Sequence, residues 1–75
     1  MERELIEYIA RQLALEPEAV EVVEHESGSD LQLELLVAKG DLGRVIGKKG
    51  RIVGAMRTIL TACANDRRVS LEIID

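Results

Sequence analysis

Apolar residues recur at helical spacing near the start of the chain. The apolar face consists of Leu5, Ile6, Ile9 and Leu13, and charged residues occupy the other faces. Because a proline disfavours helical backbone at the residue before it, the helix is predicted to end before Pro17, after about 12 residues.

The clearest alternation of apolar and polar residues begins at Leu31. One side of this predicted strand consists of Leu31, Leu33, Leu35 and Val37. Residues 27–30, Ser-Gly-Ser-Asp, form a turn cluster, and a strand after a short turn favours a strand before it. Residues 20–27 contain valines that favour a strand and glutamates that tolerate a helix. We predict that they form the first arm of a hairpin.

Two further helices are predicted on either side of a segment bounded by glycines. Asp41 can accept backbone N–H bonds and is predicted to be the N-cap of a short helix over residues 42–46. A longer helix is predicted to run from Arg51 until Asn65 and Asp66 end it. Its predicted buried stripe consists of Val53, Met56, Ile59, Leu60 and Cys63.

The chain closes with a predicted third strand, in which Val69, Leu71 and Ile73 point inward. The predicted order of elements is therefore α-β-β-α-α-β, which is an α+β class. Residues 1–75 contain no internal repeat, linker or low-complexity segment, so we expect one domain over this range.

Charge is divided unevenly along the chain, whose formal net charge is −4. Residues 1–39 contain ten acidic and three basic residues, whereas residues 40–75 contain four acidic and seven basic residues. Screening over about 8 Å in physiological salt limits how far the distant acids act, so a local basic patch can still attract phosphate. A charge cluster of this kind can also be ordinary solvated surface.

The basic residues concentrate around the segment Gly47-Lys48-Lys49-Gly50. The two glycines permit a sharp turn, and the next helix begins directly after it with unpaired N–H groups and the positive end of its dipole. Together with two lysines, this predicts an anion site suited to a phosphate backbone. The spacing matches neither a Walker loop nor a dinucleotide-binding fingerprint.

The stretch RVIGKKGRIVGAMR resembles the V-I-G-x-x-G-x-x-[IV] signature of KH-domain RNA-binding proteins. The order of elements resembles the type II (prokaryotic) KH arrangement, a three-stranded sheet with three helices on one face. Nearly the whole chain is covered, and its length resembles the small single-KH proteins of bacteria (KhpA-like). The resemblance implies a cytoplasmic RNA chaperone or post-transcriptional regulator that is dimeric or paired with a larger KH-containing protein.

Carried over residue by residue, the resemblance implies an RNA-binding surface around the loop. Its members are Arg44, Ile46, Gly47, Lys48, Lys49, Gly50, Arg51, Val53, Gly54 and Arg57. Glycine inside a helix costs about 1 kcal/mol of stability relative to alanine. Gly54 either lets a base approach the helix closely or is a destabilising residue that the fold tolerates. The resemblance also implies a groove for the bases beside the loop, with Val53 and Gly54 at the start of its helix wall. Ile46 and Val53 either line this groove or belong to the core alone.

No residue set predicts catalysis, a metal site or a cofactor. His25 has no second ligand at metal spacing, and Cys63 is interpreted as a small core residue. Tyr8 is the only aromatic residue, which argues against the RNA-binding surfaces that stack bases on aromatic platforms.

A protein-interaction module is the competing hypothesis. Val23, Leu36 and Ile74 are predicted to lie on the open face of the sheet, where they could form a dimer interface or be scattered surface residues. With one cysteine and no apolar run near the ~18 residues of a membrane span, the sequence predicts a cytoplasmic protein with no membrane partner.

Overall fold

The computed structural model describes residues 1–64 and 67–74. Its helices and strands follow the predicted order of elements. They are α1 (Glu2–Leu13), β1 (Glu21–Ser27), β2 (Asp30–Leu36), α2 (Leu42–Ile46), α3 (Arg51–Cys63) and β3 (Arg68–Ile74). None of the helices in these ranges is both long and apolar enough to cross a membrane.

The three strands form one mixed sheet in the order β1-β2-β3. β1 and β2 are antiparallel and are joined by the tight turn at Gly28, whose φ of 62° suits glycine. β2 and β3 are parallel, with Leu33 level with Leu71. A parallel pair needs a long crossover connection, and α2 and α3 supply it.

The core lies between one face of the sheet and the helices. Strand β2 contributes Leu31, Leu33 and Leu35, each at most 1% exposed. The helices contribute Ile6, Ala10, Val45, Val53, Met56 and Leu60, and the remaining core residues are Val20, Val22 and Leu71. Val37, Val69 and Ile73 are partly buried against this core, which agrees with their predicted inward orientation.

The first helix, the hairpin, the short helix over residues 42–46 and the third strand are confirmed. The predicted inner face of α3 is wrong at two of its five positions. Ile59 is 40% exposed and Cys63 is exposed, so the interpretation of Cys63 as a core residue is also wrong. A three-stranded sheet contacts only a narrow side of α3, and Val53, Met56 and Leu60 fill that side. The predicted helix end at Asn65 and Asp66 lies outside the described residues.

An ion pair between Glu2 and Arg67 ties the first turn of α1 to the start of the third strand. The Arg67 Nη2 donates to Glu2 Oε1 at 2.8 Å, and the Glu2 side chain is only 11% exposed. Hydrogen bonds from its own backbone N–H and from the Arg67 guanidinium lower the pKa of Glu2. The folded state therefore favours the ionised carboxylate more than the unfolded state does.

We predict that Glu2→Gln lowers the stability of the protein near pH 7 by about 1 kcal/mol, or about 4–8 °C in Tm, because a charge-assisted hydrogen bond is lost. The stabilisation is present above the ordinary glutamate pKa near 4.5 and disappears as the pH falls through the lowered folded pKa. Thermal unfolding from pH 7 to pH 3 tests this, with the two proteins converging at the acid end.

The matched control is Glu18→Gln, because Glu18 is exposed and forms no ion pair with any residue in 1–64 or 67–74. It should leave Tm unchanged within about 0.5 kcal/mol at every pH. A constant difference between Glu2→Gln and the parent across this pH range would contradict the assigned ion pair.

Candidate nucleic-acid interface

The Gly47–Gly50 segment, here called the GKKG loop, is a tight turn between α2 and α3. The Gly47 N–H donates to Gly43 O at 2.9 Å and closes α2, and the Gly50 N–H donates back to Gly47 O at 3.0 Å. Lys49 and Gly50 both have left-handed backbone, with φ of 58° and 74°. Glycine adopts this conformation freely, but at Lys49 it costs free energy, so the surrounding turn must hold it in place.

Gly47 is required for a close approach as well as for its conformation. Its φ is 81°, and a Cβ built there would lie 2.8 Å from the backbone nitrogen of Ile52 and 2.7 Å from its Cγ1. Side chains other than hydrogen are therefore excluded at position 47. The start of α3 packs directly against the end of α2 because this space stays empty.

The charged groups of the GKKG loop face solvent. Lys48, Lys49 and Arg51 are exposed, and none of them forms an ion pair within residues 1–64 and 67–74. The 13-residue helix α3 begins directly after the loop, and its N-terminus carries the positive end of the helix dipole. The prediction that its first N–H groups are unpaired is wrong for Arg51, whose N–H donates to Lys48 O. The arrangement can bind an anion through two side-chain charges and a helix N-terminus together.

Asp41 does not have its predicted role as the cap of α2. It occupies the N-cap position, but its side chain makes no capping hydrogen bond. Instead, Oδ1 accepts the Leu15 N–H at 3.1 Å and Oδ2 accepts the Glu16 N–H at 3.0 Å, which fixes the segment after α1. The carboxylate is 2% exposed and lies 3.4 Å from Arg44 Nε. The sequence gives no local signal for this contact, because its partners are 25 and 26 residues away.

The predicted groove residues on α3 differ in their surroundings. Gly54 is half-buried, and a Cβ placed there would meet no atom within 4 Å, so there is open space over this position. Arg57 donates from Nε and Nη2 to the Leu71 carbonyl at 3.2 and 2.9 Å, which holds its guanidinium against the edge strand β3. Arg57 therefore links α3 to β3, and its contact with RNA stays a prediction.

The two aliphatic residues of the predicted RNA-binding surface differ in burial. Val53 is 7% exposed and belongs to the core, whereas Ile46 is half-buried against the core and keeps some exposed surface beside the GKKG loop. The core alternative thus describes Val53. Contact between Ile46 and a nucleotide stays a prediction.

Comparison with known proteins shows the family of the chain. The sequence profile described as "KhpA/KhpB, KH domain" matches residues 3–74, nearly the whole chain.

The chain belongs to the KhpA/KhpB KH-domain family.

Several relatives in the KhpA/KhpB family are named RNA-binding protein KhpA. The relative from Treponema pallidum is 51% identical over 78 residues, covering 100% of this chain and 96% of its own. The one from Halalkalibacterium halodurans is 47% identical over 73 residues, covering 95% and 96%. The one from Borreliella burgdorferi is 45% identical over 76 residues, covering 99% and 93%. The α+β fold with its mixed three-stranded sheet is consistent with a KH domain.

The open face of the sheet has an apolar end and a polar end. Val23, Leu36 and Ile74 alternate with the inward residues and are half-buried, and Leu36 is level with Ile74 across the parallel pair. At the other end, a cavity of about 220 Å³ is lined by His25, Ser27, Asp30, Leu31, Gln32, Arg68 and Ser70. His25 Nε2 lies 3.1 Å from Glu34 Oε1, an exposed hydrogen-bonded pair.

The two glycines of this region should respond to alanine in opposite directions. Gly47→Ala forces a side chain against the Ile52 backbone and is predicted to destabilise the protein by about 2 kcal/mol or more. Gly54→Ala meets open space inside a helix and should stabilise the fold by up to about 1 kcal/mol. Thermal unfolding of the two variants beside the parent measures both effects, and a stable Gly47→Ala protein would contradict the described packing.

Proposed function

We propose that this protein binds single-stranded RNA and grips its phosphate backbone with the GKKG loop. The family assignment supports this, because the relatives are named as RNA-binding proteins. A KH module clamps about four nucleotides with a loop of the G-x-x-G form. Chemically, the loop supplies two lysine charges, and the helix that follows supplies the positive end of its dipole.

The single observation that carries the proposal is the state of Lys48 and Lys49. Both are exposed at the N-terminus of α3, while other basic residues, such as Arg3, Arg11 and Arg67, pair with glutamates. A cation without an internal partner in the described ranges keeps its full attraction for an external anion. The left-handed turn at Lys49 holds adjacent lysines at one point of the surface.

We further propose that the role is binding rather than catalysis, as an RNA chaperone or post-transcriptional regulator in the cytoplasm. Arg44, Ile46, Arg51, Gly54 and Arg57 would complete the interface around the GKKG loop. Arg44 and Arg51 are exposed on either side of the loop. Gly54 offers open space in which a base could approach α3.

Reversing the charge of both lysines should remove RNA binding and preserve the fold. Lys48→Asp with Lys49→Asp replaces two attractions for phosphate with two repulsions, so we expect affinity to fall by well over about tenfold. The side chains are exposed, so stability should change by only about 0.5 kcal/mol. Affinity is measured with a labelled single-stranded RNA of random sequence and about 12 nucleotides, longer than one KH clamp, and stability by thermal unfolding.

The control carries the same charge change outside the loop, Lys39→Asp with Arg68→Asp, at exposed positions. It should lose much less affinity than the loop variant. Titrations of the parent with RNA in rising salt provide a second test. If binding neutralises about three phosphates, the logarithm of the association constant should fall against the logarithm of the salt concentration with a slope of about −2. A folded loop variant that binds as the parent does would place the grip elsewhere.

A second candidate function is self-association, and a specific surface on α3 favours it. Six exposed residues of α3 carry no charge, in a chain in which 32% of residues are charged. This α3 outer face consists of Ala55, Thr58, Ile59, Thr61, Ala62 and Cys63. The hydroxyls of Thr58 and Thr61 donate back to the carbonyls of Gly54 and Arg57 at 3.1 and 3.0 Å, so their own hydrogen bonding is satisfied within the helix.

We propose a second copy of the chain as the occupant of the α3 outer face. Ile59 is flanked by Ala55 and Ala62, so two helices related by a two-fold axis can place each isoleucine near the small residues of the other. An antiparallel pair aligns opposite dipole ends and keeps the two positive GKKG loops apart. One RNA strand could then engage both loops, which raises its apparent affinity.

The prediction is that Ile59→Gln converts a dimer at micromolar concentration into a monomer, because it removes the central apolar contact. Sedimentation equilibrium measures the mass. Tyr8→Gln is the matched control, since Tyr8 is 64% exposed on another helix, and it should stay dimeric.

Leu36→Lys tests the alternative interface on the open sheet face, with Val23 and Ile74 beside it. Loss of the dimer in Leu36→Lys but not in Ile59→Gln would transfer the interface to the sheet. A parent that stays monomeric would contradict self-association through either face. A heterodimer with a larger KH-containing protein stays a prediction from the family.

A further inference from the structure

The buried carboxylate of Asp41 lies between two parts of the molecule that must keep a fixed relation. On one side it accepts the backbone N–H groups of Leu15 and Glu16, one on each oxygen. On the other side it lies 3.4 Å from the Nε of Arg44, which is one turn before Gly47 on α2. Because two backbone amides fix the Asp41 carboxylate, the ion pair forms only when the Arg44 side chain adopts the conformation that places it beside this carboxylate.

Arg44 differs from the loop lysines because one edge of its guanidinium has a partner. The ion pair uses Nε, and the side chain is half exposed. Arg44 forms no other ion pair within residues 1–64 and 67–74. A planar guanidinium anchored through Nε retains its two Nη groups, which can donate to a phosphate while losing less side-chain freedom on binding.

We propose that Asp41 is a positioning residue for RNA binding, which holds Arg44 in place to contact a phosphate beside the GKKG loop. This inference rests on the proposed function and adds one anchored arginine to it. In this role an acidic residue favours RNA binding, even though it lies only seven residues before Lys48 in the sequence. Its two amide partners offset its charge locally.

A positioning role and a purely electrostatic role of Asp41 predict different effects of Asp41→Asn on RNA affinity. If Asp41 acted only as a nearby negative charge, Asp41→Asn would strengthen binding of an anionic strand or leave it unchanged. If Asp41 positions Arg44, the same substitution weakens binding, because the asparagine lacks the charge that attracts the guanidinium. We expect RNA affinity to fall about 3- to 10-fold, which corresponds to part of the free energy of one charge-assisted hydrogen bond.

A double-mutant cycle separates positioning from a purely structural role. RNA affinity is measured with the same random single-stranded RNA for the parent, Asp41→Asn, Arg44→Gln and the double variant, below the unfolding temperature of each. Asp41→Asn should weaken binding in the parent and not in the Arg44→Gln background. Equal effects in both backgrounds, or stronger binding by Asp41→Asn, would overturn the proposal.

Arg44→Lys keeps the test decisive if Asp41→Asn does not fold. Lysine retains the charge but lacks the Nε edge and the planar fork, so it should bind RNA more weakly than the parent. Binding equal to the parent would overturn the proposal. The Lys48→Asp with Lys49→Asp variant is titrated in parallel: normal binding by that variant rejects the grip by the GKKG loop, whereas its loss together with an uncoupled Asp41 and Arg44 rejects only the positioning role.

Discussion

The absence of a side chain at Gly47 is the constraint on which the arrangement of this protein depends. It lets the backbone of Ile52 approach to a distance that no Cβ could tolerate, and so only four residues separate α3 from α2. The position of α3 then determines which of its residues cover the sheet and which remain outside. The same turn puts Lys48 and Lys49 at the N-terminus of α3, so packing and charge are settled by one glycine.

Asp41 supplies a second restraint on the same region from a distant part of the chain. Its carboxylate joins the backbone after α1 to the start of α2 and is buried almost completely. A buried carboxylate costs much free energy unless it is hydrogen-bonded, and here each oxygen has an amide donor. The surface proposed to contact RNA is therefore built on a rigid support, although the loop itself is exposed.

The elements could be predicted because each depends on local spacing. The alternation from Leu31 and the helical stripe of α1 are visible in the sequence, and the glycine at position 28 marks the hairpin turn. The exposure of Ile59 and Cys63 could not be predicted in the same way, because an apolar stripe does not reveal how wide a surface will cover it. Asp41 is a residue type that commonly caps helices, so the sequence favours that role. Only the tertiary fold shows that its carboxylate instead accepts the N–H groups of Leu15 and Glu16.

The most direct test of the central claim, that the GKKG loop contacts the RNA backbone, is a titration of ¹⁵N-labelled protein with single-stranded RNA followed by amide chemical shifts. The account predicts the largest changes at the amides of residues 47–51, with smaller changes along α3 and little change on α1. Largest changes on the open sheet face, around His25 and Ser70, with an unaffected loop would contradict it.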